Sequence, residues 1–249
     1  MADFPIDLEG PLRDELARVF DIEGKLPRAL DALGQIAGRD VVLVGGGAGL
    51  RARELARLGG RVTVVEDPAR APLLERLLRS DGTDAEPAVR VVPGEPHALG
   101  LPDGSADVVV SLWSGYRGRS PIEGPDPTEV AEAERVLRPG GRLLVVLDYG
   151  RDDVSRLRGD LPEYGLWSRR DGPYLRGGFK VRVIHCFWTF ASLEAARAFL
   201  EAGWGADGAA LADELRRPRI SYNVAIYHRT KPEAVSLVER SPQLDVRGA

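Results

Sequence analysis

Apolar positions along the chain switch between two periods. Leu12, Leu16, Val19 and Phe20 recur at helical spacing, and so do Ala29, Leu30, Leu33 and Ile36, which predicts two amphipathic helices within residues 1–38. From residue 40 the pattern becomes short β-branched runs bounded by glycine, the mark of buried strands: "DVVLVG" (40–45), "RVTVVE" (61–66), "VRVVP" (89–93), "ADVVVSL" (106–112) and "RLLVVLDYG" (142–150). Helical segments alternate with them. "LRARELARLGG" (50–60) ends in a Gly-Gly stop, and 67–80 opens with Asp67 as N-cap and Pro68 at the first helical position. The segment 126–141 opens with Asp126 and carries Glu129 three residues on, as a capping box requires, and Pro139-Gly140-Gly141 closes it. Strands alternating with helices in this way predict βαβ units and a parallel α/β sheet.

After residue 150 the rhythm changes. Residues 151–178 show no clear period. "FKVRVIHCFWTF" (179–190) and "ISYNVAIYHR" (220–229) read as strands, with one broken helix or two helices between them at 192–217. Residues 231–249 are polar and read as a flexible tail. The expected organisation is a single domain over 1–230: N-terminal helices at 1–38, a ligand-binding core at 40–150 and C-terminal strands and helices at 151–230.

Composition narrows the possibilities. The chain has 249 residues, 43% of them hydrophobic, which suits a globular core. No apolar run approaches bilayer length, and the N-terminal stretch is acidic without a basic-then-apolar signal pattern, so a cytoplasmic protein with no membrane partner is expected. The net charge is −4 with both signs mixed, and no basic stripe carries interleaved aromatics, which argues against nucleic-acid binding. One cysteine, Cys186, and three scattered histidines give no basis for a disulfide or a metal cluster.

The chemistry concentrates at "VVLVGGGAGLRARELARLGG" (41–60), where Gly45, Gly46, Gly47 and Gly49 follow a strand and open a helix. A phosphate-binding loop needs Gly-Lys-Ser/Thr, and here Leu50-Arg51-Ala52 follows. A dinucleotide turn is compatible, with Gly47-Ala48-Gly49-Leu50-Arg51-Ala52 fitting G-x-G-x-x-A. Glu66 ends the next strand about 20 residues on, where a carboxylate accepts both hydroxyls of a ribose. That serves a nicotinamide dinucleotide and S-adenosyl-L-methionine equally.

Two later segments separate these readings. "GEPHALGLPDGSADVVVSL" (94–112) keeps, without a gap, the spacing of Gly94, Leu99, Pro102, Asp103, Gly104, Ser105 and Asp107. "EAERVLRPGGRLLVV" (132–146) follows. With the glycine turn, these resemble class I S-adenosylmethionine-dependent methyltransferases of the ubiquinone/menaquinone-biosynthesis type. The resemblance covers about residues 40–148. It implies a Rossmann-like, doubly wound, mostly parallel seven-stranded sheet with helices on both faces, an N-terminal helical cap and an elaborated C-terminal part. It implies S-adenosyl-L-methionine as cofactor, with Gly45, Gly46, Gly47, Gly49, Glu66, Asp67, Glu95, Pro96 and Ser111 in its site. The implied activity is methylation of a small molecule. The alternatives are a non-catalytic or weakly cofactor-binding protein of the same fold, and an NAD-dependent oxidoreductase that the glycine turn alone favours. The sequence departs from the family pattern at four places. Leu43 stands where an acid is usual, Glu95 replaces an aspartate, Pro96 replaces a small residue and removes a backbone donor, and Ala106 replaces an aromatic. These departures imply weakened cofactor binding.

In open α/β sheets an acceptor sits beyond the carboxyl ends of the strands. Trp113, Tyr116, Tyr149, Tyr174 and His185 are the candidate pocket residues, with Trp167 and Arg176 nearby in sequence. No general base is identified. His185, among large apolar neighbours, reads more readily as a core histidine. His97 falls in the adenine-loop segment, and His228 reads as structural. Cys186 reads as a small buried hydrophobe. Lys25 and Arg28 would reach the cofactor's carboxylate only if the N-terminal helices cap the site; a solvated helix face is the simpler reading.

Overall fold

The computed structural model describes residues 6, 8–80, 89–117, 123–159 and 162–233. The two N-terminal helices are α1 (Gly10–Val19) and α2 (Lys25–Gly34). Asp21 joins them: its Oδ1 and Oδ2 accept from Lys25 N (3.0 Å) and Leu26 N (2.7 Å), which satisfies the free donors of α2's first turn. The core then alternates as β1 (Asp40–Val44), α3 (Leu50–Arg57), β2 (Arg61–Glu66), α4 (Ala71–Ser80), β3 (Arg90–Pro93), β4 (Ala106–Leu112), α5 (Pro127–Val136) and β5 (Leu137–Asp148). Three short helices follow, α6 (Asp153–Arg158), α7 (Pro162–Trp167) and α8 (Pro173–Arg176). Then come β6 (Lys180–Thr189), α9 (Leu193–Glu214) and β7 (Arg219–Thr230).

The strands form one seven-stranded sheet in the order β3-β2-β1-β4-β5-β7-β6. All neighbours are parallel except β7, which runs antiparallel to both β5 and β6. The expected sheet is therefore present. One core face holds Leu43, Val110, Leu144, Val146, Tyr222 and Trp188 against Leu16, Phe20, Leu26 and Leu30 of the N-terminal helices. The other face packs Val109, Val145, Ala225 and Tyr227 against Val130, Val136, Trp167 and Tyr174. Both faces are covered, as near-continuous apolar strands require.

Several boundaries differ from expectation. α4 begins at Ala71 instead of residue 67, because Asp67 closes a turn first: its Oδ1 accepts from Ala69 N (2.8 Å) and its carbonyl accepts from Arg70 and Ala71 N–H (both 2.9 Å). α5 ends at Val136, and Leu137–Gly141 already belong to β5, with Gly140 at φ +76°. Asp126 does cap α5 through Thr128 N (2.8 Å), but Glu129 turns away from a capping box and accepts from Tyr116 N. α9 is kinked at Gly205, where φ is +59° and ψ −131°. Lys231, placed in the expected tail, is anchored, its N–H donating to Gly141 O (2.8 Å) and its Nζ to Leu137 O (2.6 Å); residues 234–249 lie outside the described residues.

Candidate functional site

The glycine turn lies at the carboxyl end of β1, where the chain passes first to β2 on one side and later to β4 on the other. This is the topological switch point at which open α/β sheets form their ligand crevice. Gly45, Gly47 and Gly49 hold φ of +78°, +55° and +89°, values that a side chain would strain. Gly46 and Gly49 answer to packing. A β-carbon on Gly46 would stand 2.3 Å from Leu74 Cδ2 and 2.6 Å from Val64 Cγ1, and one on Gly49 would stand 2.6 Å from Leu78 Cδ2. The turn is thus pressed onto β2 and α4. Beneath it Glu66 is buried, 6% exposed. Its Oε2 accepts from Gly46 N (2.7 Å) and its Oε1 from Asp67 N (3.2 Å). Glu66 therefore fixes the loop, a role the sequence did not disclose.

Beyond β3, Glu95 and Ala98 close a small bridge, Glu95 N donating to Ala98 O (3.0 Å) and Ala98 N to Glu95 O (2.9 Å). Glu95 is exposed and sits 3.4 Å from His97 Nε2. Pro96 packs on the loop after β4: a β-carbon on Gly115 would meet its Cγ at 2.8 Å. Ser111 is fully buried and donates to Ser114 O. Left-handed backbone clusters here. Of the non-glycine residues with positive φ, Trp113 (+52°) and Tyr116 (+54°) follow β4 and Arg151 (+59°) follows β5. Strain of this kind persists where surrounding structure imposes it, and it gathers at functional loops.

A polar hub closes the floor beyond β4 and β5. Asp148, 5% exposed, accepts from Trp113 Nε1 (3.1 Å) and Tyr222 Oη through Oδ1, and from Arg158 Nη1 (2.9 Å) through Oδ2. Beside this carboxylate, burial pushes the Tyr222 hydroxyl well above its ordinary range, so it stays a donor. Phe20 sits edge-on to Trp113 (6.1 Å) and Tyr222 (5.6 Å), and the Arg51 guanidinium lies over its ring at 5.1 Å. Arg51, in the first turn of α3, is 5% exposed; it bonds Glu54 Oε2 (2.6 Å), and its Nε has no partner among the described residues. Neither Asp148 nor Arg51 was singled out from the sequence. The adjacency of Asp148 to the strand end and of Arg51 to the glycine turn were the available signals.

The structure redistributes the expected acceptor residues. Trp113 and Tyr149 are partly exposed at the strand ends. Tyr116 and Tyr174 are fully buried in the second core, where Tyr174 stacks on Tyr227 at 4.2 Å and donates to Tyr116 O (2.5 Å), so they support the loops. Trp167 is buried with them. His185 is not a core histidine: it is exposed on the edge strand β6, its Nδ1 2.8 Å from Asn223 Oδ1. The strand's alternation explains this, since Ile184 and Cys186 take the buried face. Cys186 is buried as expected.

The two later sequence motifs act mainly on each other. Arg135 bonds Glu132 through Nε (2.7 Å) and Nη2 (2.8 Å), reaches Leu101 O (2.8 Å) and pairs with Asp103. Glu132 accepts from Leu99 N (2.8 Å). Asp107 accepts from Asp40 N (2.9 Å) and pairs with Arg138 (3.1 Å). Arg135 and Glu132 thus staple α5 to the β3–β4 connection, and Asp107 ties β4 to β1 and β5.

Comparison with known proteins agrees with this geometry. Residues 42–145 match the family model described as "Methyltransferase domain". The chain is 34% identical over 130 residues to the ubiquinone/menaquinone biosynthesis C-methyltransferase of Paracoccus denitrificans, covering 52% of this chain and 50% of that one. It is 35% identical over 154 residues to an uncharacterized 37.1 kDa protein of a Streptomyces fradiae transposon, covering 60% and 41% respectively. The chain thus spans half or less of the length of these relatives. Among solved structures, a SAM-dependent methyltransferase from Aquifex aeolicus shares the fold, with a TM-score of 0.50, 17% identity and coverage of 88% of this chain and 98% of that one.

Over residues 42–145 the chain resembles a methyltransferase domain, carried on the fold that class I S-adenosylmethionine-dependent methyltransferases share.

The cofactor of this domain, S-adenosyl-L-methionine, fits the ribose end of the crevice. Each Glu66 oxygen gives one lone pair to a backbone N–H and keeps another for a hydroxyl. At the methionine end the methyltransferase domain differs from its family pattern. Leu43, where the family carries an acid, is fully buried in the apolar core.

Proposed function

We propose that this chain transfers the methyl group of S-adenosyl-L-methionine to a small-molecule acceptor in the cytoplasm. The observation that carries the reading is the positive-φ glycine turn seated over the buried Glu66 carboxylate at the switch point between β1 and β4. When bound, the cofactor supplies a sulfonium-activated methyl group. Gly45, Gly46, Gly47 and Gly49 offer bare backbone to it, and Glu66 takes the ribose diol. Asp67, Glu95, Pro96 and Ser111 border the adenine, and Arg51 meets the carboxylate. Trp113 and Tyr149 flank the acceptor, with Trp113 held in place by Asp148. Methyl transfer asks chiefly for in-line positioning, so a hub that fixes Trp113 contributes by orientation. The relative from Paracoccus denitrificans, named for quinone biosynthesis, supports a small organic acceptor.

A second reading, a non-catalytic protein of this fold that binds the cofactor weakly, is favoured by two features. Leu43 leaves the cofactor's ammonium without the family's acid, and Pro96 presses on Gly115 where adenine would enter. Calorimetry with S-adenosylmethionine tests both. Saturable binding at micromolar strength supports the proposal, and absence of binding at millimolar ligand favours the second reading.

A further inference from the structure

Lys25 and Arg28 belong to a different site. They do not face the glycine turn; they line a cavity of about 430 Å³ between α2 and β6, with Ala29, Arg182, Val183, Ile184 and His185. β6 is the far edge of the sheet, four strand spacings from β1, or roughly 19 Å at about 4.8 Å per spacing. The cavity is separate from the cofactor crevice.

We propose that this cavity binds a small organic phosphate, its phosphoryl group held by Arg28 and Arg182 and its organic part resting on Ala29 and Ile184. Charge and shape both support this. Arg28 and Arg182 are exposed and make no ion pair among the described residues, so two guanidinium forks stand open to an anion. Lys25 is fixed at the upper rim: its Nζ donates to His185 O (3.0 Å), pairs with Glu23 (2.8 Å) and lies 4.8 Å from the Phe187 ring centroid. The Arg219 guanidinium lies 4.4 Å from the same centroid. Glu23 is the carboxylate facing this cluster, and Lys25 first, then Arg219 and Arg28, hold it below its ordinary range. Asp21 and Asp31 are turned inward, onto Lys25 N and Leu26 N and onto Ile36 N. On the lower side, Lys180, Arg142 and Arg182 surround His228, which burial and these cations hold below the ordinary histidine range. Cationic residues on an edge strand also guard against strand pairing, but that service needs neither Arg28 on a helix nor an apolar floor. The cavity falls in the size range of small-molecule sites.

The test is a calorimetric titration of the full chain with phenyl phosphate, inorganic phosphate and benzoate at matched ionic strength. The expected result is saturable binding of one phenyl phosphate per chain, tighter than either control. In R28Q/R182Q the binding should weaken at least about tenfold, one charged hydrogen bond being worth about that factor. The melting temperature and S-adenosylhomocysteine affinity should stay unchanged, since both residues are exposed and outside the crevice. Lack of saturation, or equal binding by the variant, would overturn the site. Benzoate binding as tightly would overturn the phosphate assignment, and inorganic phosphate binding as tightly would overturn the apolar floor. Competition with S-adenosylhomocysteine would place the ligand in the cofactor crevice and overturn the proposal while leaving the methyltransferase reading intact.

Discussion

Replacing Glu66 in two ways separates its two roles. In Glu66→Ala the buried Gly46 N–H loses its acceptor at 2.7 Å, and Asp67 N loses a weaker one at 3.2 Å. A buried backbone donor left unpaired costs about 1–3 kcal/mol. For a chain of this size that lowers the melting temperature by roughly 3–10 °C. Glu66→Gln keeps a carbonyl oxygen for Gly46 N but replaces the second acceptor with an amide donor. Its ligand-free melting temperature should lie close to that of the unsubstituted protein. Its affinity for S-adenosylhomocysteine should fall about tenfold, because one ribose hydroxyl loses a charged acceptor. Thermal melts without ligand and calorimetric titrations of both variants read the two effects. An unchanged melting temperature for Glu66→Ala would refute the loop-fixing role. Unchanged affinity in Glu66→Gln would refute the ribose role.

Three further outcomes follow from named contacts. Leu43→Asp would bury an unpaired carboxylate between Val64 and Val110, so the melting temperature should fall sharply with no gain in cofactor affinity; tighter binding at unchanged stability would mean that the loop accepts the family's acid. Asp148→Asn removes the charge from the acceptor shared by Trp113 Nε1, Tyr222 Oη and Arg158 Nη1, at a cost of about 1–3 kcal/mol, so denaturation should occur earlier and Trp113 fluorescence should change; an unshifted unfolding midpoint would contradict the hub. His228 has its folded-state value depressed, chiefly by burial, so the folded chain binds fewer protons than the unfolded one and stability should decline as pH falls below about 6.5. His228→Gln should flatten the melting-temperature profile between pH 7 and 5, and an equally steep profile would assign the dependence elsewhere.

What could be read without coordinates followed from local rules. The strands 61–66 and 106–112 match their expected bounds, because β-branched runs between turn and helix signals leave little alternative. The glycine turn and Glu66 were visible as spacing. The sheet order was visible only through resemblance, since alternation predicts parallel strands without ordering them. What stayed hidden depends on long-range packing. Tyr116 and Tyr174 look like pocket aromatics, yet they meet across 58 positions of sequence to close a core. Asp148 gathers Trp113, Arg158 and Tyr222 from three elements, and no local period announces that. His185 sits in an apolar run, but strand alternation on an edge turns it outward. The motif residues Asp103, Glu132 and Arg135 carry the family resemblance while serving as braces, so motif strength located the fold more reliably than it located the ligand.

The most direct test of the account is a paired calorimetric titration of the chain with S-adenosylhomocysteine and NAD. The account predicts one S-adenosylhomocysteine per chain, bound at micromolar or weaker strength because Leu43 and Pro96 each remove a polar contact, and bound more tightly than NAD. NAD affinity equal to or greater than that for S-adenosylhomocysteine would contradict it.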